Sequence, residues 1–318
     1  MPEPVRPIAL GEIEAARERI AGTVLRTPLV KLDLGGPSQI YLKLENLQPT
    51  NAYKIRGATN AVAKLSDEQR ARGVWTISAG NAGQGVAYAA RALGVPCTVV
   101  AIDTAPQTKL DRMRALGASL LPVSYEQAWR AAEAHAFDGL EGTFIHPFDN
   151  HDFIAGHATM GLEIVEDLPD VRTVICAIGG GGLITGVGSA IKALRPDAKV
   201  IGAEPETAAP YAYSLGAGAP SKFPGWTASF VDGAGGQSVT ARMWERMQAV
   251  ADGAITVTLE EARQSMALIA DKTRTIAEGA GALSLAAALT GRAGEGPVVC
   301  VVSGGNIDLK KFAELVTA

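Results

Sequence analysis

The sequence predicts an α/β protein in which parallel sheets carry helices on both faces. Short apolar runs rich in β-branched residues alternate along the chain with helical patterns. These runs are apolar at every position, which is typical of strands buried on both faces of a parallel sheet. Repeated alternation of strand and helix is the pattern that builds such sheets.

Six apolar runs are predicted strands, and two helices have clear ends. The strands are VWTIS (74–78), CTVVA (97–101), FIH (144–146), TVICAI (173–178), KVIGAE (199–204) and VVCVVS (298–303). Helices are predicted over residues 82–93 and 106–116, because Gly94 and Gly117 follow them and glycine is the usual helix stop. The Pro- and Gly-rich run over 205–236 is predicted to be a surface excursion.

Length and composition limit the class of protein. The chain has 318 residues, 47% of them hydrophobic and 19% charged, which is enough for one large or two modest domains. A net charge of −4 argues against nucleic acid or an anionic membrane as a partner. No apolar stretch approaches the roughly 18 residues of a membrane span, and the N-terminal segment lacks the apolar core of a signal peptide. We therefore expect neither a nucleic-acid nor a membrane partner.

The cysteines indicate the redox compartment. Cys97, Cys176 and Cys300 each lie in an apolar run and form no CxxC pair. An odd, widely spaced set of this kind predicts reduced thiols in the core, which favours a cytoplasmic location.

A run of four glycines is the first candidate binding element. In AIGGGGLITG, residues 177–186, a predicted buried strand runs into the glycines and then into a helical pattern. Glycines let backbone N–H groups approach an anion closely, and a helix N-terminus attracts negative charge. The run fits neither GxGxxG nor a P-loop, and a tight strand–helix turn is the structural alternative. We interpret it as a phosphate cradle.

Two further strand ends carry polar residues and glycines. SAGNAGQGVAYAA, residues 78–90, starts at one strand end, and VVSGGN, residues 301–306, ends another strand. Ligands of open α/β proteins bind beyond the carboxyl ends of strands. Helix capping by Ser78 or Asn81 is the alternative for the first segment, and Asn306 is interpreted as a cap in the second. Three such strand ends predict a small anionic ligand held from several sides.

One lysine then needs a role. Lys54 lies in ENLQPTNAYKIRGA, residues 45–58, and on its own it would most often be a solvated surface charge. Together with a phosphate cradle, a reactive lysine is what pyridoxal phosphate requires, because that cofactor forms a Schiff base with a lysine and has its phosphate anchored. The combination predicts pyridoxal phosphate as the cofactor.

Six ordered motifs resemble those of the fold-type II pyridoxal phosphate enzymes, in particular the threonine/serine dehydratase–serine racemase family. They are KLENLQPTNAYKIRGA (43–58), SAGNAGQGVA (78–87), HPFDN (146–150), GGGGL (179–183), EGAGA (278–282) and SGGN (303–306). The resemblance covers roughly Arg17 to Ala313. It implies a tryptophan synthase β-like fold, with two open, twisted, mostly parallel sheets flanked by helices and the cofactor in a cleft between two domains.

No interdomain linker is visible, so a second domain is expected to be inserted within the first. We expect a large cofactor-binding domain of residues 1–72 and 150–318, with a small domain of residues 73–149 inserted in it. The resemblance also implies a homodimer.

The resemblance assigns roles to residues of these motifs. Lys54 is the Schiff-base lysine and catalytic base, and Tyr53 lies against the cofactor ring. Asn81 hydrogen-bonds the phenolic oxygen, Ser303 faces the pyridine nitrogen, and Glu278 is a further candidate near the cofactor, with helix capping as its alternative role. The phosphate-cradle residues are Gly179, Gly180, Gly181, Gly182 and Leu183. The substrate-binding residues are Ser78, Ala79, Asn81 and Ala82.

Ser303 indicates the type of reaction. A hydroxyl does not keep the ring nitrogen protonated as a carboxylate would, so the substrate carbanion is less stabilised and departure of a β-leaving group is favoured. With Lys54 as base, the resemblance implies a dehydratase (ammonia-lyase) of amino-acid catabolism that converts a threonine- or serine-type β-hydroxy amino acid to a 2-oxo acid and ammonia. Ala82 replaces a histidine common in the family's loop, and Ala52 is also small. Both favour bulkier substrates, such as 3-phenylserine or 3-hydroxyaspartate.

Three other functions stay open at this point. A serine or aspartate racemase is disfavoured, because Ala79 stands where serine racemases carry a second serine. β-Replacement, as in cysteine synthase, is disfavoured by KIRGA, which differs from the SVKDR-like pattern of that branch. A protein that binds pyridoxal phosphate without enzyme activity is the third alternative.

A divalent-cation site is doubtful. In racemase-like members a strand-end Glu shares a cation with a carbonyl and a nearby carboxylate. Glu204 and the carbonyl of Ala208 are the candidate ligands here, but Pro210 stands where the second carboxylate is expected. Glu206 is a possible but misplaced substitute for this second carboxylate, so we expect a weakened or absent cation site. The alternative for Glu204 is that it is an ordinary carboxylate at the end of a strand.

Overall fold

The computed structural model of the protein describes residues 5–35, 39–105 and 107–317. Residues 1–4, 36–38 and 318, which fall in the predicted large domain, lie outside the described residues, as does Pro106, the first residue of a predicted helix. Within the described ranges no helix is both long enough and apolar enough to cross a membrane.

Strands and helices alternate along most of the described chain. The helices are α1 Leu10–Ile20, α2 Lys54–Ala63, α3 Asp67–Arg72, α4 Asn81–Ala92, α5 Gln107–Ala115, α6 Tyr125–Ala134, α7 His151–Asp167, α8 Gly182–Leu194, α9 Pro210–Ala217, α10 Ala241–Gln248, α11 Leu259–Thr273, α12 Gly279–Leu289 and α13 Leu309–Val316. The strands are β1 Leu29–Lys31, β2 Ile40–Leu44, β3 Val74–Ile77, β4 Cys97–Ile102, β5 Ser119–Val123, β6 Thr143–Phe144, β7 Thr173–Ala177, β8 Lys199–Pro205, β9 Gly253–Val257 and β10 Val298–Val302. Short 3₁₀ helices cover Glu45–Leu47 and Asp232–Ala234.

The strands of the described residues form two sheets. The larger has the strand order β1-β2-β10-β7-β8-β9, and the smaller has the order β5-β4-β3-β6. Every neighbouring pair is parallel except β1 and β2, which are antiparallel. Two mostly parallel sheets flanked by helices confirm the predicted fold class.

The central strands are buried on both faces, as their apolar runs predicted. In β10, Val299 and Val301 belong to the core formed with α7 and α8, whereas Cys300 and Val302 belong to the core formed with α11 and α12. Full burial of each such side chain stabilises the fold by about 1.5–3 kcal/mol. All three cysteines are buried and free, as expected of core thiols.

Each predicted run overlaps a strand, but β1, β2, β5 and β9 were not predicted. β5 is an edge strand that contains Pro122, which only an edge tolerates because the missing N–H faces away from the sheet. β2 contains Lys43, which interrupts the apolar pattern although it is fully buried. The third predicted strand is shorter than expected, since β6 covers only Thr143–Phe144. The predicted excursion over 205–236 contains the helix α9.

The two sheets are built from different parts of the chain, whereas some helices pack on a sheet from the other part. The smaller sheet lies within residues 73–149 and the larger sheet outside them. One core of the smaller sheet nevertheless includes Ala58 and Val62 of α2 and Phe153 of α7. Helices from beyond the boundaries therefore pack on the smaller sheet, and the boundaries themselves stay a prediction.

Candidate active site

The polar and glycine-containing strand ends lie around one cleft. Segments after β3, β7 and β10 contribute to a cleft of about 500 Å³ that is lined from both sheets. The predicted site residues in its lining are Tyr53, Lys54, Ser78, Ala79, Asn81, Ala82, Gly180, Glu278 and Ser303. Gly179 lines an adjoining cavity of about 840 Å³, and Gly181, Gly182 and Leu183 are buried.

Lys54 is the first residue of α2 and lines the cleft. Its Nζ donates a hydrogen bond to the carbonyl oxygen of Pro147 at 2.7 Å and lies 5.2 Å from the ring centroid of Tyr53. Desolvation in these surroundings lowers the pKa of the amine to about 7. Much of the amine is therefore neutral near pH 7, so Lys54 can act as a nucleophile or a base. The surface-charge interpretation is excluded.

Helix α2 lies unusually close to α7. A Cβ added at Gly57 would lie 2.4 Å from the carbonyl oxygen of Phe153, and one added at Gly156 would lie 2.3 Å from the carbonyl oxygen of Arg56. Only glycine allows two backbones to approach in this way. The contact fixes the axis of the helix that begins at Lys54.

Arg56 anchors the same helix in a buried ionic network. Its Nε lies 2.8 Å from Glu45 Oε2, and its Nη1 lies 2.7 Å from Glu163 Oε1. Lys43 Nζ lies 2.6 Å from Glu163 Oε2, so two cations meet two carboxylates in the core. Desolvation opposes the charged form of Glu45, but the Arg56 guanidinium outweighs it and keeps the pKa of that carboxyl below its usual value. No pattern in the sequence predicted this network.

The four glycines form the loop between β7 and α8. Gly181 has a φ of 86°, a left-handed conformation that favours glycine. A Cβ added at Gly180 would lie 2.2 Å from the ring of Phe148. Among the described residues, the backbone N–H groups of residues 179–183 donate to no protein acceptor. Unpaired N–H groups at a helix N-terminus are suited to bind an anion such as a phosphate.

The side-chain amide of Asn81 is fixed by two partners. Its Nδ2 donates to Glu278 Oε1 at 2.6 Å, and its Oδ1 accepts from Asn306 Nδ2 at 2.8 Å. Desolvation raises the pKa of Glu278 to about 7, against the effect of the Asn81 hydrogen bond. Asn306 does not cap a helix, since α13 begins at Leu309 with Asp308 as its cap. The cap interpretation was wrong because the Asn306 amide is used inside the cleft.

The loop after β3 presents one hydroxyl and two methyl groups. Ser78 Oγ accepts the N–H of Gly80 at 3.1 Å, and no side chain in the described part of the chain caps α4, which excludes helix capping by Ser78 or Asn81. Ala79 and Ala82 add only methyl groups to the lining of the cleft. Position 79 therefore offers no proton donor.

Ser303 lies at the end of β10, beside the start of α2. Its carbonyl oxygen accepts the N–H of Tyr53 at 3.0 Å, and its Oγ lies 3.5 Å from the carbonyl oxygen of Ala280. Ala52 is fully buried and pairs through its backbone with Gly304, outside the lining of the cleft. The expectation that Ala52 opens space for the substrate was therefore wrong.

The candidate metal ligands are engaged at helix N-termini. Glu204 accepts the N–H of Tyr211 at 2.9 Å and that of Ala212 at 2.7 Å, and its burial raises the pKa of the carboxyl to about 7. Glu206 accepts the N–H of Leu259 at 2.9 Å. Within the described ranges, no group of three or more His, Cys, Asp or Glu side chains is arranged to hold a metal ion. The weakened or absent cation site stays a prediction.

Two pairs of residues that the sequence analysis missed connect the two sides of the cleft. Lys109 Nζ lies 2.5 Å from Asp232 Oδ2, and Arg112 Nη1 donates to Asn306 Oδ1 at 2.9 Å. Both cations belong to α5, and the partners lie 123 and 194 positions further along the chain. Thr104 and Ala105 complete this side of the lining. No local pattern could have revealed such pairs.

Known proteins resemble this chain in sequence and in structure. The sequence model of the family described as "Pyridoxal-phosphate dependent enzyme" matches residues 20–304. The chain is 39% identical to the L-threonine ammonia-lyase of Thermotoga maritima, over 97% of this chain and 78% of that protein. Threonine deaminase isoform 2 of Solanum lycopersicum superimposes with a TM-score of 0.86 at 31% identity, over 100% of this chain and 98% of that one. Serine racemase of Dictyostelium discoideum superimposes with a TM-score of 0.87 at 32% identity, over 95% and 99%.

Proposed function

The chain belongs to the family of pyridoxal-phosphate dependent enzymes, and we propose that it is an ammonia-lyase (dehydratase) for β-hydroxy amino acids of the threonine or serine type. The observation that carries the proposal is the desolvated amine of Lys54, which shares one cleft with the glycine loop and the Ser303 hydroxyl. The products are a 2-oxo acid and ammonia.

The residues of the cleft fit the cofactor. The unpaired N–H groups of residues 179–183 would hold its phosphate, and the loop has no room for a side chain at Gly180. Lys54 would be linked to the cofactor covalently through its amine. Tyr53 would contact the cofactor ring, and the Ser303 hydroxyl would face the ring nitrogen. Asn81, oriented by Glu278, would donate to its phenolic oxygen.

Lys54 is the proposed base. Pyridoxal phosphate, when bound, supplies an electron sink for the electron pair left at Cα. The neutral amine of Lys54 accepts the α-proton, and the pKa of about 7 allows it to be neutral beforehand and cationic afterwards. The Ser78 hydroxyl and the N–H groups of the 78–82 loop bind the substrate carboxylate.

The overall reaction is balanced without an oxidant or reductant. The Cα–H and Cβ–O bonds break, water leaves, and one water is taken up again when the C–N bond is hydrolysed. Threonine thus gives 2-oxobutanoate and an ammonium ion. A hydroxyl at position 303 is consistent with this chemistry, because loss of the β-hydroxyl removes the need for a long-lived carbanion.

Racemisation of serine or aspartate is the second candidate, and the likeness to a serine racemase favours it. It requires a proton donor on the face of Cα opposite Lys54. Ala79 provides none at the position where serine racemases carry a serine. We therefore place elimination first.

Three finer statements are also proposals. The small side chain of Ala82 favours substrates bulkier than threonine, such as 3-phenylserine or 3-hydroxyaspartate.

The family resemblance favours a homodimer, which light scattering would measure. The buried free cysteines are consistent with the cytoplasm as location.

A substrate panel tests the proposed function. The protein reconstituted with pyridoxal phosphate is incubated with the L- and D-forms of serine, threonine, 3-hydroxyaspartate and 3-phenylserine. We expect at least one L-form to give equal amounts of 2-oxo acid and ammonia. If serine is inverted and no keto acid forms from any substrate, the proposed lyase activity is overturned and racemase activity is favoured.

The attachment of the cofactor is expected to depend on pH in a way that reports the Lys54 pKa. Only the neutral amine attacks the aldehyde, and a pKa of about 7 makes roughly half of it neutral at pH 7, against roughly one part in three thousand for an ordinary lysine. Stopped-flow absorbance of the apoprotein mixed with pyridoxal phosphate is expected to show a rate that rises about tenfold between pH 6 and 8 and then levels off. A rate that keeps rising up to pH 10 would contradict the lowered pKa.

A further inference from the structure

We propose that an apolar pocket beside the cleft, walled by Tyr125 and Trp129 of α6, is the subsite for the substrate side chain and takes an aryl group on Cβ. The inference rests on the proposed function and deepens it, since it assigns the preferred substrate class as 3-aryl-serines. It also selects between the two bulkier substrates considered above.

The pocket has the size and lining of a small-ligand site. Its volume is about 610 Å³, within the range of pockets that enclose small ligands. Ile77, Ile102, Ala128 and Ala132 contribute apolar walls in addition to the two aromatic residues. An apolar enclosure of this size favours a large apolar substituent over the methyl group of threonine.

The pocket is continuous with the reactive cleft. Ile77, Ile102, Pro147 and Phe148 line both of them. The Lys54 amine lies 2.7 Å from the carbonyl oxygen of Pro147, so the proposed base stands at the shared wall. A substituent on Cβ of a substrate held at Lys54 can therefore extend into the pocket.

Tyr125 and Trp129 are the aromatic surface of the pocket. They stand one helical turn apart on α6, with ring centroids 6.4 Å apart and ring planes 16° from parallel. The two residues are 57% and 46% exposed, so apolar ring surface is accessible to a ligand. An aryl group in the pocket would cover apolar surface on both rings, and aromatic contacts add to the gain from area alone.

The lining of the pocket favours a neutral ring over a carboxylate. Burial lowers the pKa of His146 to about 4, and its Nδ1 accepts the N–H of Asp149 at 2.9 Å, so the ring is uncharged at pH 7. The Asp149 carboxylate lies 2.8 Å from Arg242 and 3.2 Å from Arg246. Apolar side chains form most of the remaining wall, so a β-carboxylate as in 3-hydroxyaspartate would lose water against apolar surface, whereas an aryl group would gain by the same contact.

The test compares kcat/KM for L-3-phenylserine with kcat/KM for L-threonine. In the unaltered enzyme we expect the ratio to favour phenylserine by about tenfold or more, as full burial of a ring predicts. The substitutions Trp129→Ala and Tyr125→Ala are each expected to lower the ratio about tenfold, and Trp129→Phe is expected to restore most of it. Tyr213→Ala is the matched control, because Tyr213 is 44% exposed on α9 and lines neither cavity. It leaves the ratio unchanged.

Competitive inhibition by a non-reacting amino acid measures recognition of the substrate side chain separately from turnover. Phenylalanine has the ring but no β-hydroxyl, so it is expected to inhibit threonine turnover competitively, and Trp129→Ala is expected to raise its inhibition constant about tenfold. Alanine serves as the ring-free control.

The possible failures are distinct. If no substrate yields keto acid, the proposed function fails. If threonine is turned over but phenylserine is not, or the ratio does not move in either α6 variant, the subsite is overturned and the lyase stands. Preference for 3-hydroxyaspartate over phenylserine would overturn the aryl assignment as well.

Discussion

Replacing Lys54 with alanine is expected to reduce keto acid formation by about a thousandfold or more. The change removes the amine that would hold the cofactor and accept the α-proton, and a positioned base alone contributes about 10²–10⁴ in rate. The visible absorbance band of the lysine-bound cofactor is expected to disappear with it. A steady-state assay and an absorbance spectrum of the reconstituted protein measure the two effects separately.

Lys64 is the matched control for this experiment. It lies at the C-terminal end of the same helix, where its side chain is 41% exposed and its Nζ lies 2.5 Å from Asp152 Oδ1. The Lys64→Ala protein is expected to keep both the band and the activity within about twofold, because an exposed ion pair contributes little. A band that persists in Lys54→Ala would remove Lys54 from its assigned role.

The Arg56→Ala substitution is expected to lower the free energy of unfolding by about 3–5 kcal/mol. Removal of the guanidinium leaves Glu45 and Glu163, whose side chains are 0% and 7% exposed, and among the described residues Lys43 alone then remains paired with either of them. Breaking a buried ion pair on one side costs this much because the remaining carboxylate is not solvated. Urea denaturation of the apoprotein, followed by circular dichroism, measures the change.

The Arg6→Ala substitution tests whether burial of the ion pair is the cause of the large loss of stability expected for Arg56→Ala. Arg6 also pairs with a carboxylate, Glu12 at 2.7 Å, but the two side chains are 44% and 36% exposed. Its loss is expected to cost less than about 1 kcal/mol. Equal losses in the two variants would contradict the account of the network.

The fold was predictable where the local sequence carries the physical signal. β7 and β10 are continuous apolar runs because helices cover both of their faces, and the runs are visible without any partner. β2 and β5 were missed because each contains a residue that is unusual in a buried strand. The charge of Lys43 is tolerated because it pairs with Glu163, and Pro122 is tolerated because β5 lies at the edge of its sheet.

The residues of the candidate site were predictable where they belong to a motif, but the contacts that orient them were not. The glycine loop, the SGGN end and Lys54 each belong to a motif that the family resemblance could identify. The hydrogen bonds that orient them join residues far apart, as between Asn81 and Asn306, which are 225 positions apart. The pocket beside α6 arises from packing among five separate segments of the chain, so the motif sequences do not reveal the side-chain subsite.

The series of hydrogen bonds from α5 into the cleft has a consequence for the orientation of Asn81. Arg112 donates to Asn306, Asn306 to Asn81, and Asn81 to Glu278, over links of 2.9, 2.8 and 2.6 Å. The series begins at a cation on a helix packed beside the smaller sheet and ends at a carboxylate beside the larger one. Both polar atoms of the Asn81 amide are thereby engaged by residues from the opposite side of the cleft. The orientation of this amide thus depends on how the segments around the two sheets meet, and the loop after β3 does not fix it alone.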